Sequence, residues 1–439
     1  MKNIDKCSLI IVNTLFLMFP LSIMLGNLLI NLNIVLLFVC TFIFYNKEII
    51  NFKTNLFDKI ILIFFFYTLI PLIINFYGLG WNCTDNNECN FEGTFKNSII
   101  KTFFFFRYFL LYLALRVLIN QKILKVDWFC IACSICAAFV CFDIFFQVIF
   151  GRDIFGIVPY HDRHYSALFG DELIAGGYLQ RFALFSFFLP FVVNKKNHYK
   201  IFIQLIIFIV FMFGIILSGN RMPLILFIFS YLILLFLDKE LRKYIFTAFI
   251  VVSLVLIFIR GTNINFRYAM GSFYNHGTHL VHTLFIKDLT KEKIEVWDRP
   301  YVTEFYCFKH TWTKNPIFGG GIKSFRSIRG CNSHPHNYYF EILSELGLFG
   351  FSIILTFVFL ILYKLCVKRI NFFHLSFKKM DISVVPFFLF FFIEFFPLRT
   401  SGSFFSTGNA SLIFVVLAIL VSLISKKKIL IIKTNIIYI

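Results

Sequence analysis

Long apolar segments separated by polar connections run through most of the chain. Each segment spans roughly 17 to 25 residues, the length that one α-helix needs to cross a hydrocarbon core of about 30 Å. We count about twelve segments, at residues 8–26, 28–45, 57–75, 99–119, 127–150, 172–193, 201–217, 222–237, 244–260, 338–363, 382–396 and 409–424. This pattern predicts an all-α polytopic membrane protein with about twelve transmembrane helices.

The positive charges support this count independently. With the N-terminus in the cytoplasm, every cytoplasmic connection is richer in Lys and Arg than the short outer connections, as the positive-inside rule requires. The basic residues of those short outer connections are Lys96, Arg152, Arg163, Arg221 and Arg399. A missed span would invert the alternation downstream of it, so the sequence predicts that both termini are cytoplasmic. The first apolar run reaches about Gly26 without a small-x-small cleavage site, which predicts an uncleaved first span.

One outer connection is much longer than the others. Residues 261–337 are polar and basic, and loops of this length escape the charge rule. A polar insertion in a compact bundle is a candidate functional element. We therefore divide the chain into transmembrane helices 1–9 at residues 1–260, a long periplasmic loop at 261–337 between helices 9 and 10, and helices 10–12 with a cytoplasmic tail at 338–439.

Composition and charge agree with a membrane protein. The chain is 59% hydrophobic, with a mean hydropathy of +0.81, which excludes an ordinary water-soluble domain. The formal net charge is +19, and apolar runs separate the charged segments from one another. We therefore expect topology signals and contacts with anionic membrane lipid, and no nucleic-acid partner.

The cysteines are divided between the outer loops and the apolar spans. Cys83 and Cys89 lie in one outer loop and Cys307 and Cys331 in the long one, and either pair could form a disulfide in an oxidising periplasm. Four more lie in one apolar span, where Cys behaves as a small hydrophobe: Cys130, Cys133, Cys136 and Cys141. We interpret these four as packing residues rather than as a metal site.

A spaced motif begins where the long loop meets the tenth segment. His336-Asn337 is followed after nine residues by Gly347, and then by Gly350. Four further segments accompany this motif: His334-Pro335, residues 315–326 (NPIFGGGIKSFR), residues 170–177 (GDELIAGG) and residues 218–221 (SGNR). Together with the spacing of the motif, they resemble the O-antigen ligase and polymerase family of envelope glycosyltransferases. The resemblance covers about residues 160–360. Asn220 departs from it, because many members have Ser there.

The resemblance implies transfer of a glycan from undecaprenyl diphosphate to a hydroxyl group at the periplasmic face of the bacterial inner membrane. The acceptor is lipid A-core for a ligase and a second carrier-linked glycan for a polymerase. We favour the ligase on the His-Asn-to-Gly pattern and keep the polymerase as the alternative. The sequence has no convincing metal triad, so we predict a metal-independent reaction without a cofactor, in which arginines stabilise the leaving diphosphate.

His336 resembles the catalytic histidine of the family. A neutral imidazole with a pKa near ~6.5 can accept the proton of the acceptor hydroxyl. The alternative is a loop histidine that only binds backbone at a helix start. His334 is a weaker candidate because Pro335 restrains its backbone. We predict that His334 and Asn337 contribute to substrate binding.

Two arginines resemble the arginines of the family. Arg221 stands at a predicted helix start with Pro223 in the first turn, where unpaired N–H groups favour a phosphate. It could instead reach lipid headgroups. Arg299 lies in the long loop, where an ion pair with Asp298 or Glu295 is the alternative.

Further charged residues are predicted to bind substrate: Lys323, Arg326, Arg163, Asp171, Glu172 and Arg181. Asp171 and Glu172 are rival bases, or caps of a helix N-terminus. Arg181 lies inside a span, so it needs a carboxylate or a polar cavity. We expect His336 and the arginines to face one cavity that opens to the periplasm and to lipid.

A transporter is the alternative from another functional class. Charges inside the spans would suit a transport path: Arg107, Asp143, Arg181 and Glu394. Transporters are usually built from two repeated halves, and we find no repeat in the sequence.

Overall fold

A computed structural model of the chain describes residues 6–77, 91–159, 164–193, 200–237, 242–262, 300–327, 331–366, 370–371, 376–377, 381, 383–400 and 402–435. The helices of the first half are α1 (Lys6–Leu17), α2 (Phe19–Leu25), α3 (Asn27–Phe44), α4 (Asn46–Ile50), α5 (Leu56–Tyr67), α6 (Ile70–Phe76), α7 (Phe91–Asn120), α8 (Val126–Phe150) and α9 (Ala175–Val193). Those of the second half are α10 (Lys200–Leu217), α11 (Arg221–Leu237), α12 (Arg242–Thr262), α13 (Pro300–Lys314), α14 (Tyr338–Leu365), α15 (Val385–Glu394) and α16 (Thr407–Asn435). Short 3₁₀ turns at Ala167–Phe169 and Phe325–Ser327 and a pair of two-residue strands, β1 (Ile370–Asn371) and β2 (Ser376–Phe377), complete the described elements.

Each of the twelve predicted segments coincides with a helix or with a broken pair of helices. Within the described residues, six helical segments are long and apolar enough to cross a membrane, or seven if the bent pair of α1 and α2 is one span. Shorter apolar helices lie in α10, α11, α12 and α15. The structure is therefore that of a helical polytopic membrane protein, and the number of twelve crossings stays a prediction.

The chain forms two compact units. The first comprises residues 1–136, 184–192 and 301–439, and the second comprises residues 137–183 and 193–300. In the first unit, α16 packs along α7 and α3, and α14 packs on α5. Stacked aromatic rings fill this interior, with Phe65 5.1 Å from Phe105 and 5.0 Å from Phe414 between ring centroids.

A charged pair is also buried inside the first unit. Arg116 of α7 donates to both carboxylate oxygens of Asp58 of α5, at 2.8 and 3.0 Å. Asp58 also accepts hydrogen bonds from Tyr112 Oη at 2.6 Å and from the Asn55 backbone at 2.8 Å. Arg116 reaches α16 as well, where it donates to Ser422 Oγ at 2.6 Å. This network ties three helices together within the apolar interior.

In the second unit, α10, α11 and α12 pack against one another through aromatic side chains. The Phe208 ring lies 5.7 Å from Phe227, 4.5 Å from Tyr231 and 5.4 Å from Phe249 between centroids. Near the end of α8, Asp143 accepts a hydrogen bond from the Ile154 backbone at 2.9 Å. This short-range contact satisfies one oxygen of the buried carboxylate, and its Oδ2 has no hydrogen-bond partner among the described residues.

The part of the long loop that the structure describes has its own small core. Cys307 of α13 forms a disulfide with Cys331, one of the two pairings that the sequence left open. Around it pack Phe308 and Phe325, and then Trp312 and Phe340. The other pair, Cys83 and Cys89, lies outside the described residues.

The cysteine-rich stretch of α8 behaves as predicted for packing residues. Cys130, Cys133 and Cys141 are buried and Cys136 is half-buried. Across the described ranges, no group of three or more His, Cys, Asp or Glu side chains has an arrangement that would hold a metal ion.

Candidate active site

The first of the two glycines that end the histidine motif breaks a helix. Within α14, Gly347 has φ 64° and ψ −170°, values that only glycine adopts readily. The break frees backbone groups that a regular helix would pair. The Leu348 N–H donates to Pro316 O at 2.9 Å and the Phe349 N–H to Ile317 O at 3.3 Å.

The freed carbonyl groups are satisfied by the glycine turn of the long loop. Gly320 N donates to Ser344 O at 3.1 Å, and Gly321 N donates to Glu345 O at 2.8 Å. A Cβ on Gly319 would lie only 2.5 Å from the Glu345 backbone. The turn at residues 319–321 therefore packs directly against the broken helix, and this contact fixes the loop beside α14.

Asn337 caps α14 and anchors it. Its side-chain oxygen accepts from the backbone N–H groups of Tyr339 at 2.9 Å and Phe340 at 3.2 Å, as a helix N-cap does. Its side-chain nitrogen donates to Pro397 O at 2.8 Å and Arg399 O at 3.3 Å. Asn337 thereby fixes the position of the residue before it, His336.

His336 lies on this cap in a left-handed backbone conformation, with φ 46°. Its Nε2 lies 3.4 Å from Oε1 of Glu304 on α13. The His336 side chain is 41% exposed, whereas the Glu304 side chain is 7% exposed. Asn332 Nδ2 donates to the same Glu304 oxygen at 3.1 Å. The imidazole thus faces a buried carboxylate on one side and solvent on the other.

His334 is the half-buried neighbour of this imidazole. Its ring centroid lies 4.3 Å from that of His336, and its Nδ1 lies 2.9 Å from Ser333 Oγ. Burial, with smaller contributions from the charges of His336, Lys323 and Arg326, lowers the pKa of His334 to about 4. A histidine with this pKa stays neutral at pH 7 and is a weak base, which favours His336 over His334 as the proton acceptor.

Glu304 was not among the residues that the sequence singled out. Burial raises the pKa of Glu304 to about 7, and the hydrogen bond from Asn332 opposes this only in part. Its neighbour one turn along α13, Cys307, is tied to Cys331, and Asn332 follows Cys331 directly. The disulfide therefore ties the helix that carries Glu304 to the segment that carries its partner Asn332. In the sequence, only the spacing of Glu304 and Cys307 could have pointed to this arrangement.

A buried polar layer lies on the same α14 segment. Lys323 Nζ lies 3.8 Å from Glu341 Oε1 and donates to Ser403 Oγ at 2.5 Å. Ser403 Oγ and the Phe404 N–H both donate to the Glu341 carboxylate. Because Lys323 is engaged in this way, the more exposed Arg326 is the better placed of the two predicted cations to meet a soluble or lipid-borne anion.

In the second unit, the structure joins two of the motifs that carry the family resemblance. Asn220 Oδ1 accepts from Gly176 N at 3.1 Å, and Asn220 Nδ2 donates to Leu173 O at 3.0 Å. A Cβ on Gly176 would lie 2.7 Å from Asn220 Oδ1. The departure from Ser at position 220 thus supplies two hydrogen bonds to the start of α9. Arg221, the next residue, is the first of α11 and is exposed.

The remaining predicted residues divide into two groups. Asp171 and Glu172 are exposed in the turn before α9, and Arg181 is half-buried inside that helix. Arg163 and Arg299 lie outside the described residues. The convergence of Arg221 with His336 on one cavity stays a prediction.

Part of the chain is similar to a known protein family. Residues 205–355, about a third of the chain, match the family described as O-antigen ligase. The matched range includes Arg221, His336 and both glycines of the motif. No curated protein matches the chain. The resemblance noted in the sequence is therefore confirmed over residues 205–355, which are similar to the O-antigen ligase family.

Proposed function

We propose that the protein is a glycosyltransferase of the O-antigen ligase type. It moves a glycan from undecaprenyl diphosphate to lipid A-core at the periplasmic face of the inner membrane. The family domain supports activity of the ligase or polymerase type in general. The observation that carries the finer proposal is His336, an exposed imidazole held rigidly at a helix cap beside a buried carboxylate.

His336 acts as the general base in this reaction. It accepts the proton of the acceptor hydroxyl while the hydroxyl oxygen bonds to the anomeric carbon of the glycan. The bond from that carbon to the phosphate oxygen breaks, and its electron pair leaves with undecaprenyl diphosphate. Asn337 holds the base in place through its four hydrogen bonds.

Cations stabilise the diphosphate as it leaves. We assign this role to Arg221 and Arg299, with Arg326 as a further contact. The helix start at Arg221 adds unpaired backbone N–H groups, which favour a phosphate. The assignment of charge neutralisation to arginines rather than to a metal ion is part of the proposal.

A deletion strain tests the proposed function. Its lipopolysaccharide is separated on gels after complementation with the wild type or with His336→Ala. We expect bare core with long polymer left on the lipid carrier in the deletion and His336→Ala strains, and a full ladder with the wild type.

Two other gel patterns would change the proposal. Core that carries single repeat units would identify the polymerase, which uses the same donor. A normal ladder in both the deletion and the His336→Ala strains would exclude both enzymes.

Transport receives less support from the structure. Three of the charges that suggested a transport path have local partners. Arg107 donates to the neighbouring Tyr108 Oη at 2.6 Å, and Glu394 accepts from Arg399 at 2.8 Å. Asp143 accepts from a backbone N–H, as described above. Contacts of this kind give the charges local partners without requiring a substrate path.

A further inference from the structure

The proposed base has a buried carboxylate behind it that no sequence motif marked. Glu304 Oε1 lies 3.4 Å from His336 Nε2, and the two side chains differ sharply in exposure, at 7% and 41%. Of the two ring nitrogens, Nε2 therefore faces the protein. A carboxylate in that place favours a proton on Nε2, which leaves the lone pair of the neutral ring on Nδ1.

We propose that Glu304 is a positioning residue for His336, which keeps the imidazole proton on Nε2 and faces the positive charge that the ring acquires during transfer. The proposal rests on the function proposed above. The acceptor proton goes to Nδ1 of His336, and the resulting imidazolium donates its Nε2 proton toward Glu304. After the diphosphate has left, the Nδ1 proton passes to water and the pair returns to its starting state.

The scaffold around Glu304 is built to hold it. Asn332 donates to Oε1 at 3.1 Å, and the Cys307–Cys331 disulfide joins α13 to the residue before Asn332. The Phe308 ring stacks on Phe340 of α14 with centroids 4.3 Å apart. Covalent and aromatic contacts therefore fix the distance between the helix that carries Glu304 and the helix that His336 precedes.

The protonation of the pair follows from its surroundings. Among the described residues, His334 lies next to His336 and is itself acted on by the charges of Lys323 and Arg326, and His334 stays neutral near pH 7. Burial raises the pKa of Glu304 to about 7, so this carboxyl group exchanges its proton near neutral pH. Glu304 must be ionised to face an imidazolium, so transfer should increase as the pH rises through about 7.

Glu304→Gln is the sharpest variant. Glutamine retains a side-chain oxygen that can accept from Asn332, and it removes the charge that faces His336. Lys309→Gln is the matched control, because Lys309 is exposed on the same helix. Glu304→Asp keeps the charge and serves as the second variant if Glu304→Gln does not fold.

The first readout does not need activity. Diethyl pyrocarbonate modifies neutral imidazole, so the extent of His336 modification against pH, read by mass spectrometry of its peptide, reports the charge of the ring. We expect the pH midpoint of His336 modification to move to lower pH by about one unit in Glu304→Gln and to stay unchanged in Lys309→Gln. An unchanged midpoint in folded Glu304→Gln protein would overturn the proposal.

The second readout is glycan transfer by the purified protein. We expect Glu304→Gln to lower turnover on the order of 10²-fold, with the acid limb of its pH profile moved to lower pH. In the His336→Ala background, Glu304→Gln should not lower turnover any further. An equal loss of turnover in both backgrounds would overturn the proposal. If the wild type transfers no glycan while the His336 midpoint still moves, the pair is supported and the proposed function fails.

Discussion

Two buried carboxylates of the first unit have opposite environments. Asp58 is sealed among Arg116, Tyr112 and the Asn55 backbone, and both of its oxygens are paired at short distance. Glu304 has an amide at 3.1 Å and an imidazole at 3.4 Å, and that imidazole is open to solvent.

This difference distinguishes a structural ion pair from a carboxylate that can take part in proton transfer. A buried charge whose partners are complete holds helices in register, and its loss leaves the other charge unpaired. A buried carboxylate beside an exposed imidazole keeps the ability to exchange a proton, which is the usual setting of a functional group. We therefore expect the two sites to respond differently to substitution.

The largest effect is expected at His336. His336→Ala removes the proton acceptor and should lower glycan transfer by about 10²- to 10⁴-fold. The amount of folded protein, measured by size-exclusion chromatography in detergent, should stay the same, and Lys309→Gln should transfer glycan normally. A His336→Ala protein that loses its fold together with its activity would make His336 a structural residue like Asp58.

Substitution of Arg116 should show the reverse pattern. Arg116→Ala leaves the Asp58 carboxyl group buried without its main partner, and the free energy of unfolding should fall by about 3–5 kcal/mol. Thermal unfolding in detergent measures this change. The remaining folded molecules should transfer glycan at the wild-type rate, because Arg116 lies outside the proposed site. A stable but inactive variant would contradict the structural role.

Gly347→Ala should have an intermediate effect. A Cβ there would lie within contact distance of the Ile317 backbone, and the residue has φ 64°. We expect a loss of stability of about 1–3 kcal/mol and reduced transfer, because the break aligns the loop with the cap at Asn337. Gly408→Ala in α16 is the control, since nothing lies within 4 Å of its Cβ position. Equal melting temperatures for both variants would refute the role of the break.

The smallest effect concerns acid stability. The pKa of His334 is lowered in the folded state to about 4, so the unfolded chain binds a proton more readily as the pH falls below about 6.5. Stability should therefore decrease between pH 6.5 and pH 4, by less than about 1 kcal/mol per pH unit because the ring is partly solvated. His334→Asn should reduce this slope in pH-dependent melting curves. An unchanged slope would show that His334 does not contribute to it.

The helical framework was predictable because membrane insertion imposes long apolar runs and an asymmetry of positive charge. The predicted segment at residues 338–363, for example, lies in α14, and the segment at residues 409–424 lies in α16. The sequence did not predict that the helix breaks at Gly347, although Gly347 and Gly350 were part of the motif. The hydrophobic pattern continues through it, and the positive φ of Gly347 and the close approach of the Ile317 backbone together explain why glycine is needed there.

The site was predicted in part. The motif spacing identified His336 and Asn337, and the structure places them at the cap of α14. Glu304 was missed because its importance depends on a tertiary contact across more than thirty residues, which the disulfide and Asn332 create. Sequence periodicity carries no information about such a contact.

One experiment decides the role of the proposed base in the proposed reaction. The wild type and His336→Ala are reconstituted in vesicles with an undecaprenyl-diphosphate-linked glycan and lipid A-core, and both products are quantified. We predict equal amounts of glycan-bearing lipid A-core and free undecaprenyl diphosphate for the wild type, and at least about 100-fold less of both for His336→Ala. Transfer by His336→Ala at the wild-type rate would contradict the assignment of the base.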